Sequence, residues 1–303
     1  MSNLSAAMTS LLMVPVKLDA LVLKQDQMVV SARADFSALP YTNGTRDVNA
    51  DTANLSENIL SEPFENQTLN LKAGIHLHWS LPDALTRGAH SADGTDFPAV
   101  PNRWLVIRSG VPPAETWVVE SDYLVPDGAP NPQGSISTPY TPDPAHARWQ
   151  PFRYQGRKMF LSDWPPHDAN PEYLPKLTAA GYGETTFAAL YANCRSVFGF
   201  HDENPVAAGL RYDVIGWYSD PAADPLAALV AGLARQDVHD AIQEKFNWDV
   251  ELSAGQEVPR GMLCYARLTF QPGASTANPA LADASTRITI AHTGTEALSA
   301  YLA

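Results

Sequence analysis

The chain has 303 residues, a formal net charge of −13, 45% hydrophobic residues and 25 prolines. This composition suits a globular, loop-rich β protein rather than a disordered one. The acidic balance opposes nucleic-acid binding, which rests on Lys and Arg neutralising phosphates, and no apolar run approaches the roughly 18 residues that span a bilayer.

The opening residues, Met1 to Met8, carry no positively charged leader, and Pro15 interrupts the apolar run from Leu11 to Val16. The expectation is a cytoplasmic protein, or one exported by a signal-independent route. Residues 14–23 and 28–34 alternate apolar and polar side chains around Lys24-Gln25-Asp26-Gln27, the pattern of a half-buried hairpin. A polar insertion rich in Asn, Asp, Thr, Ser and Glu fills residues 41–67. Strands are expected at 74–80, 103–109 and 116–121.

Residues 126–151 hold seven prolines and read as an extended loop or linker. It is the place for a boundary between a β-rich part, 1–125, and an α+β part, 152–303, packed with the first as one unit. Phe187, Leu190, Tyr191 and Cys194 repeat at helical spacing and predict a helix over 185–197. Residues 210–219 predict a strand with Leu210, Tyr212, Val214, Gly216 and Tyr218 on one face. Asp224 and Pro225 form the N-cap and first position of a helix reaching about residue 246, with a break near Gly232. Further strands are expected at 262–270 and 287–291. Cys194 and Cys264 read as helix and strand core, hence as two buried thiols and not a bridge. The fold class is α+β and β-rich: mainly antiparallel sheet or sandwich, with a few peripheral helices and long Pro-rich loops.

Four groups of residues carry candidate chemistry. His76 and His78 stand two apart on a strand and share a face, as two metal ligands would, with Asp83 and His90 to complete the set and Asp93 or Asp96 as further ligands. The alternative has both imidazoles hydrogen-bonded in a core beside Trp79 and Trp104. A divalent metal is therefore the minority reading, and no cofactor is predicted. Arg103 opens a strand and could grip a carboxylate, Asp83 or Glu120, either to lock a loop or to meet a ligand. His201-Asp202-Glu203 offers a base or ligand, or a turn of solvated charges. Trp149 and Trp164 flank Arg157-Lys158 and would serve a glycan-binding surface. The common hydrolase, zinc-protease and nucleotide-binding motifs are missing from the sequence.

Thr293 and Glu296 make a capping box that opens a helix near the C-terminus. A helix so short needs packing, which assigns Leu298, Tyr301 and Leu302 to an interface, either with this domain or with another polypeptide.

Several phrases in the chain, "GIHLHWSLPDALTRG" (74–88), "FPAVPNRWLVIR" (97–108), "FAALYANCRSVFGFHDE" (187–203), "YDVIGWYSDPAADPL" (212–226) and "HTGTEALSAYLA" (292–303), resemble the N-terminal region of a family of very large, uncharacterised bacterial proteins. The resemblance implies an N-terminal module followed by further sequence, and it brings no activity with it. Together these readings point to a non-enzymatic assembly or docking module of a larger bacterial protein or complex, and the family resemblance alone implies a phage-tail-like injection apparatus as the wider setting. Its partner would be another protein or further domains of the same polypeptide, with no nucleic acid and no membrane span. The rivals are a metal-dependent enzyme or binder centred on His76 and His78, and a glycan-binding module.

Overall fold

The computed structural model describes residues 10–31, 68–91, 94–126, 129, 136–138, 153–165, 172–179, 197–271 and 289–290. These form a β-rich α+β fold. Strands β1 (Leu12–Pro15), β8 (Arg103–Ser109), β9 (Glu115–Leu124), β10 (Ile136–Thr138), β11 (Arg153–Phe160), β13 (Arg211–Trp217) and β14 (Met262–Thr269) make a seven-stranded sheet in the order β1-β14-β13-β8-β9-β11-β10. Only the β1–β14 pair is parallel. Facing it is an antiparallel three-stranded sheet, β12-β5-β2, built from β12 (Gly199–Asp202), β5 (Gly74–Ser80) and β2 (Lys17–Leu23).

Residues 12–23 tie the two sheets together. They keep one alternation throughout: Val14 and Val16 are buried, Leu18, Ala20 and Val22 are half-buried against the same core, and Met13, Pro15, Lys17 and Asp19 are exposed. The backbone bends after Pro15, so the first part pairs with β14 and the second with β5. Such a sheet-switching strand makes the corner of a sandwich. The core lies between the inner faces, with Trp104, Val106, Tyr212, Val214 and Cys264 opposite Ile75, Leu77, Trp79 and Phe200. Trp79 and Trp104 meet at 5.2 Å between ring centroids. Gly216 makes room for them, because a Cβ there would stand 2.2 Å from the Trp104 ring.

The expected hairpin around Lys24–Gln27 does not form. β2 pairs with β5, while β3 (Gln27–Ser31) pairs with β4 (Thr68–Leu71), so residues 17–31 run beside 68–80 as one long irregular ladder. The turn lacks the Gly or Asn that a tight hairpin needs for positive φ. Asp26 instead binds across the ladder, accepting from Lys72 Nζ at 2.7 Å and Ala73 N–H at 2.9 Å. β15 (Thr289–Ile290) extends the β3–β4 pair, and β6 (Ala89–Ser91) pairs with β7 (Gly94–Asp96).

The helix expected from Asp224 appears as two pieces, α2 (Pro225–Val230) and α3 (Arg235–Phe246), with Gly232 at φ +78° between them. Asp224 caps α2, accepting from Leu226 N–H at 2.8 Å, and its other oxygen accepts from Met262 N–H at 2.7 Å, which fixes the helix to the start of β14. A short helix α1 (Asp83–Thr86) follows β5 and buries Leu85. No described helix is long and apolar enough to cross a membrane. Strands from both sides of the Pro-rich segment share the seven-stranded sheet. The helix expected over 185–197 lies outside the described residues except for Val197, as do Cys194 and the C-terminal helix with Leu298, Tyr301 and Leu302.

Candidate functional site

His76 and His78 do share a face of β5, but it is the face turned away from the sandwich core. Ile75, Leu77 and Trp79 occupy the inner face, so the tryptophans expected beside the imidazoles lie on the other side of the strand. Across the ladder His201 pairs with His76, and the two rings stack at 4.2 Å with 15° between planes. Each imidazole uses Nε2 on a backbone carbonyl of the same turn, His76 on Lys72 at 2.8 Å and His201 on Ala73 at 2.9 Å. Gly74, at φ +129°, lets this turn approach β12, since a Cβ there would stand 2.2 Å from the Asp202 carbonyl oxygen. The ring arrangement is therefore that of a strap across β4, β5 and β12.

The other proposed ligands lie elsewhere. Asp83 is an exposed residue of α1 paired with Arg87 at 3.6 Å, and His90 is exposed on β6. Asp96 pairs with Lys176 at 2.8 Å. Among the described residues no group of three His, Cys, Asp or Glu side chains comes together as a metal site. Trp149 and Asp93 lie outside the described residues.

Arg103 is the residue whose partner was legible. Of the two carboxylates offered, it takes Glu120, directly opposite on β9, with Nε 3.4 Å from Oε1. A larger knot surrounds this pair. Arg157 donates to Glu120 from the other side at 2.6 Å, Trp164 donates its indole N–H at 3.2 Å, and the Tyr173 hydroxyl donates at 3.2 Å. Arg103 also binds Asp122, which accepts from the Asn102 amide at 2.6 Å. Burial pushes the Asp122 carboxyl above the usual carboxylate range, against the opposing pull of Arg103 and Asn102. The guanidinium of Arg157 lies 3.6 Å over the Tyr123 ring, and that of Arg103 lies 4.7 Å over Tyr173. Trp164, named from sequence as a ligand contact, spends its polar edge inside this knot and sets its ring edge-on to Trp217.

The triplet His201-Asp202-Glu203 is split by strand alternation. His201 faces outward, Glu203 is exposed, and Asp202 points into the core, where it binds Arg108 Nε at 2.9 Å, Asn204 N–H at 2.8 Å and the Tyr212 hydroxyl. Burial, then the hydrogen bond to Asp202, pushes the Tyr212 phenol far up. Arg108 continues to the carbonyls of Val111 and Pro113, so Asp202 ties β12 to β8 and to the turn after it. Cys264 is a buried thiol pushed up to about 12 by burial, which suppresses thiolate chemistry.

The geometry thus spends each of these buried charges on a neighbour. Such networks fix the register of elements; they do not present a reactive group to solvent. No family model matches the chain, and neither the curated proteins nor the solved structures hold a match to it.

Proposed function

We propose that this chain is a non-enzymatic assembly or docking module of a larger bacterial protein or complex. The observation that carries the reading is the outward face of the seven-stranded sheet. Leu105, Ile107, Met159, Ile215 and Leu263 stand on the side of their strands opposite the core residues, none belongs to the core cluster, and all are half-buried, with Met13 beside them 61% exposed. A strand that faces water on one side alternates apolar with polar, whereas near-continuous apolar runs mark strands covered on both faces. Trp104-Leu105-Val106-Ile107 and Trp117-Val118-Val119 are runs of the second kind. The buried ionic knots support the same reading, because they make a rigid block on which a surface can be presented.

The test is to isolate the protein from its own cells without denaturant and measure its mass by light scattering, with photo-cross-linkers placed on the sheet. A docking module should migrate above the mass of one chain, with cross-links from the sheet to another polypeptide. Migration as a free monomer with no such cross-link would contradict the proposal.

A further inference from the structure

We infer that the outward face of the seven-stranded sheet receives an amphipathic helix from another polypeptide, one whose apolar stripe is bordered by carboxylates. The inference rests on the docking reading and gives it a partner of defined chemistry.

Register aligns the apolar residues into a stripe. Tyr265 pairs with Ile215 and Ile215 with Leu105, a straight row across β14, β13 and β8 that ends against the fully buried Val118 on β9. Met13 and its partner Leu263 continue the apolar surface at the β1 edge. At the other end the segment after β11 returns over the sheet, placing Trp164 on Glu120. The strip left between Val118 and Met13 crosses four strands, at about 4.8 Å per strand, roughly the length of three helical turns at about 5.4 Å each. A face offers side chains and no free ladder of backbone groups, so it suits a helix layered on it, while an added strand would need an edge. The β1 edge is moreover blunted by Pro15, which has no N–H.

Charge selects the border of that helix. Among the described residues the charged side chains of this face are Arg103, Glu120, Asp122 and Arg157, held in their knot, and Arg211, Asp213 and Arg267. Asp213 is only 10% exposed and is shared: Arg267 Nε donates to it at 2.6 Å, the Tyr265 hydroxyl donates at 2.7 Å, and Arg211 Nε lies 3.5 Å away. Arg211 and Arg267 are 42% and 51% exposed. Two accessible guanidiniums thus divide one shielded carboxylate, leaving positive charge beside the stripe on a chain of net −13. A second copy laid face to face brings no accessible carboxylate to these arginines, because Asp213, Glu120 and Asp122 are shielded and already paired. A carboxylate-bordered helix supplies what they lack.

The experiment uses the full chain and two synthetic helical peptides with the same leucine stripe, one bordered by Glu and the other by Lys, read by fluorescence anisotropy at low salt. The Glu-bordered peptide should bind about tenfold more tightly, the sum of two exposed charge pairs of under about 1 kcal/mol each. The double variant R211E/R267E should reverse the preference. I215D, checked for folding by circular dichroism, should abolish binding of both peptides, and L233D, at an exposed leucine after α2, should change neither. Equal affinities, or a preference that survives R211E/R267E, would overturn the inference. So would self-association abolished by I215D, which would assign the face to a second copy. Failure of both peptides to bind would overturn it as well, while the docking reading would still be decided separately by the native-mass and cross-linking measurement.

Discussion

Glu120 shows how a carboxylate can be buried in a β-sheet without becoming a reactive group. It is 1% exposed and receives donors from Arg103, Arg157, Trp164 and Tyr173, so its charge is compensated and its lone pairs are occupied. Removing one member of a buried ionic group leaves the others uncompensated, at a cost of about 3–5 kcal/mol. Glu120→Gln, nearly isosteric, is therefore expected to lower unfolding free energy by about that amount in urea denaturation; a loss below about 1 kcal/mol would show that solvent already screens the knot. His239, by contrast, is a surface residue with a half-exposed side chain. Its ring nitrogens sit 2.9 Å from Asp240 and 3.2 Å from Asp249, and the hydrogen bond with Asp240, then that with Asp249, raises its imidazole above the ordinary 6.5. A raised folded value means that the link between α3 and the loop after it is fully present below the unfolded value and fades as pH rises through the folded one. An NMR titration should find the His239 midpoint above 6.5 in dilute buffer and moving down toward it in 1 M salt, since the pair is open to screening; a midpoint indifferent to salt would contradict the ion-pair origin.

At the scale of elements, α2 illustrates local rules written plainly in sequence. Asp224 before Pro225 is a capping signal, and the structure gives that carboxylate Leu226 N–H, Ala227 N–H and, from 38 residues away, Met262 N–H. Losing an N-cap costs about 0.5–2 kcal/mol and stranding a buried N–H about 1–3. Asp224→Ala should then destabilise by about 2–4 kcal/mol in thermal or chemical unfolding, with Asp224→Asn recovering part of the loss; equal losses for both would show that the contact with β14 depends on charge. The strands Gly74–Ser80 and Arg103–Ser109 were likewise legible, the first from its alternation and the second from an apolar run that follows two prolines, without reference to the rest of the chain. The hairpin was not. Alternation on either side of Lys24–Gln27 reads the same whether the two halves pair with each other or with 68–80, and only the Asp26 bridge to Lys72 and Ala73 separates these outcomes. The candidate site follows the same division. Arg103 could be matched to Glu120 from their places at strand positions, but Arg157 reaches Glu120 through the β9–β11 register, which shifts at Gly156, a residue with φ +83°. Tyr173 and Trp164 arrive from irregular segments with no periodicity to read. The facing of His76 and His78 was equally hidden, since alternation says that two residues share a face and does not say which face meets the core.

At the scale of the molecule, the seven-stranded sheet alternates between the two halves of the sequence. In the order β1-β14-β13-β8-β9-β11-β10, β1, β8 and β9 precede residue 126, and β14, β13, β11 and β10 follow it. The facing sheet does the same, with β12 from the second half paired to β5 from the first. The buried ion pairs Arg103 to Asp122 and Glu120 are local to the first half, but Arg108 to Asp202 and Glu120 to Arg157 cross between halves. A fragment ending at residue 125 would keep the β8–β9 hairpin and lose both neighbours of β8 and β9 in the sheet, together with the partners of Arg108 and Glu120. One beginning at residue 152 would place β13 and β14 side by side with no β8 and no β1. Neither fragment retains a closed core, so each alone is expected to be largely unfolded by circular dichroism, and the intact chain should unfold in urea as one transition seen alike by tryptophan fluorescence and far-ultraviolet dichroism. Two separated transitions, or a fragment with native-like dispersion in its NMR spectrum, would show that the halves are independent units and that the cross-half pairs are contacts between domains instead of parts of one core.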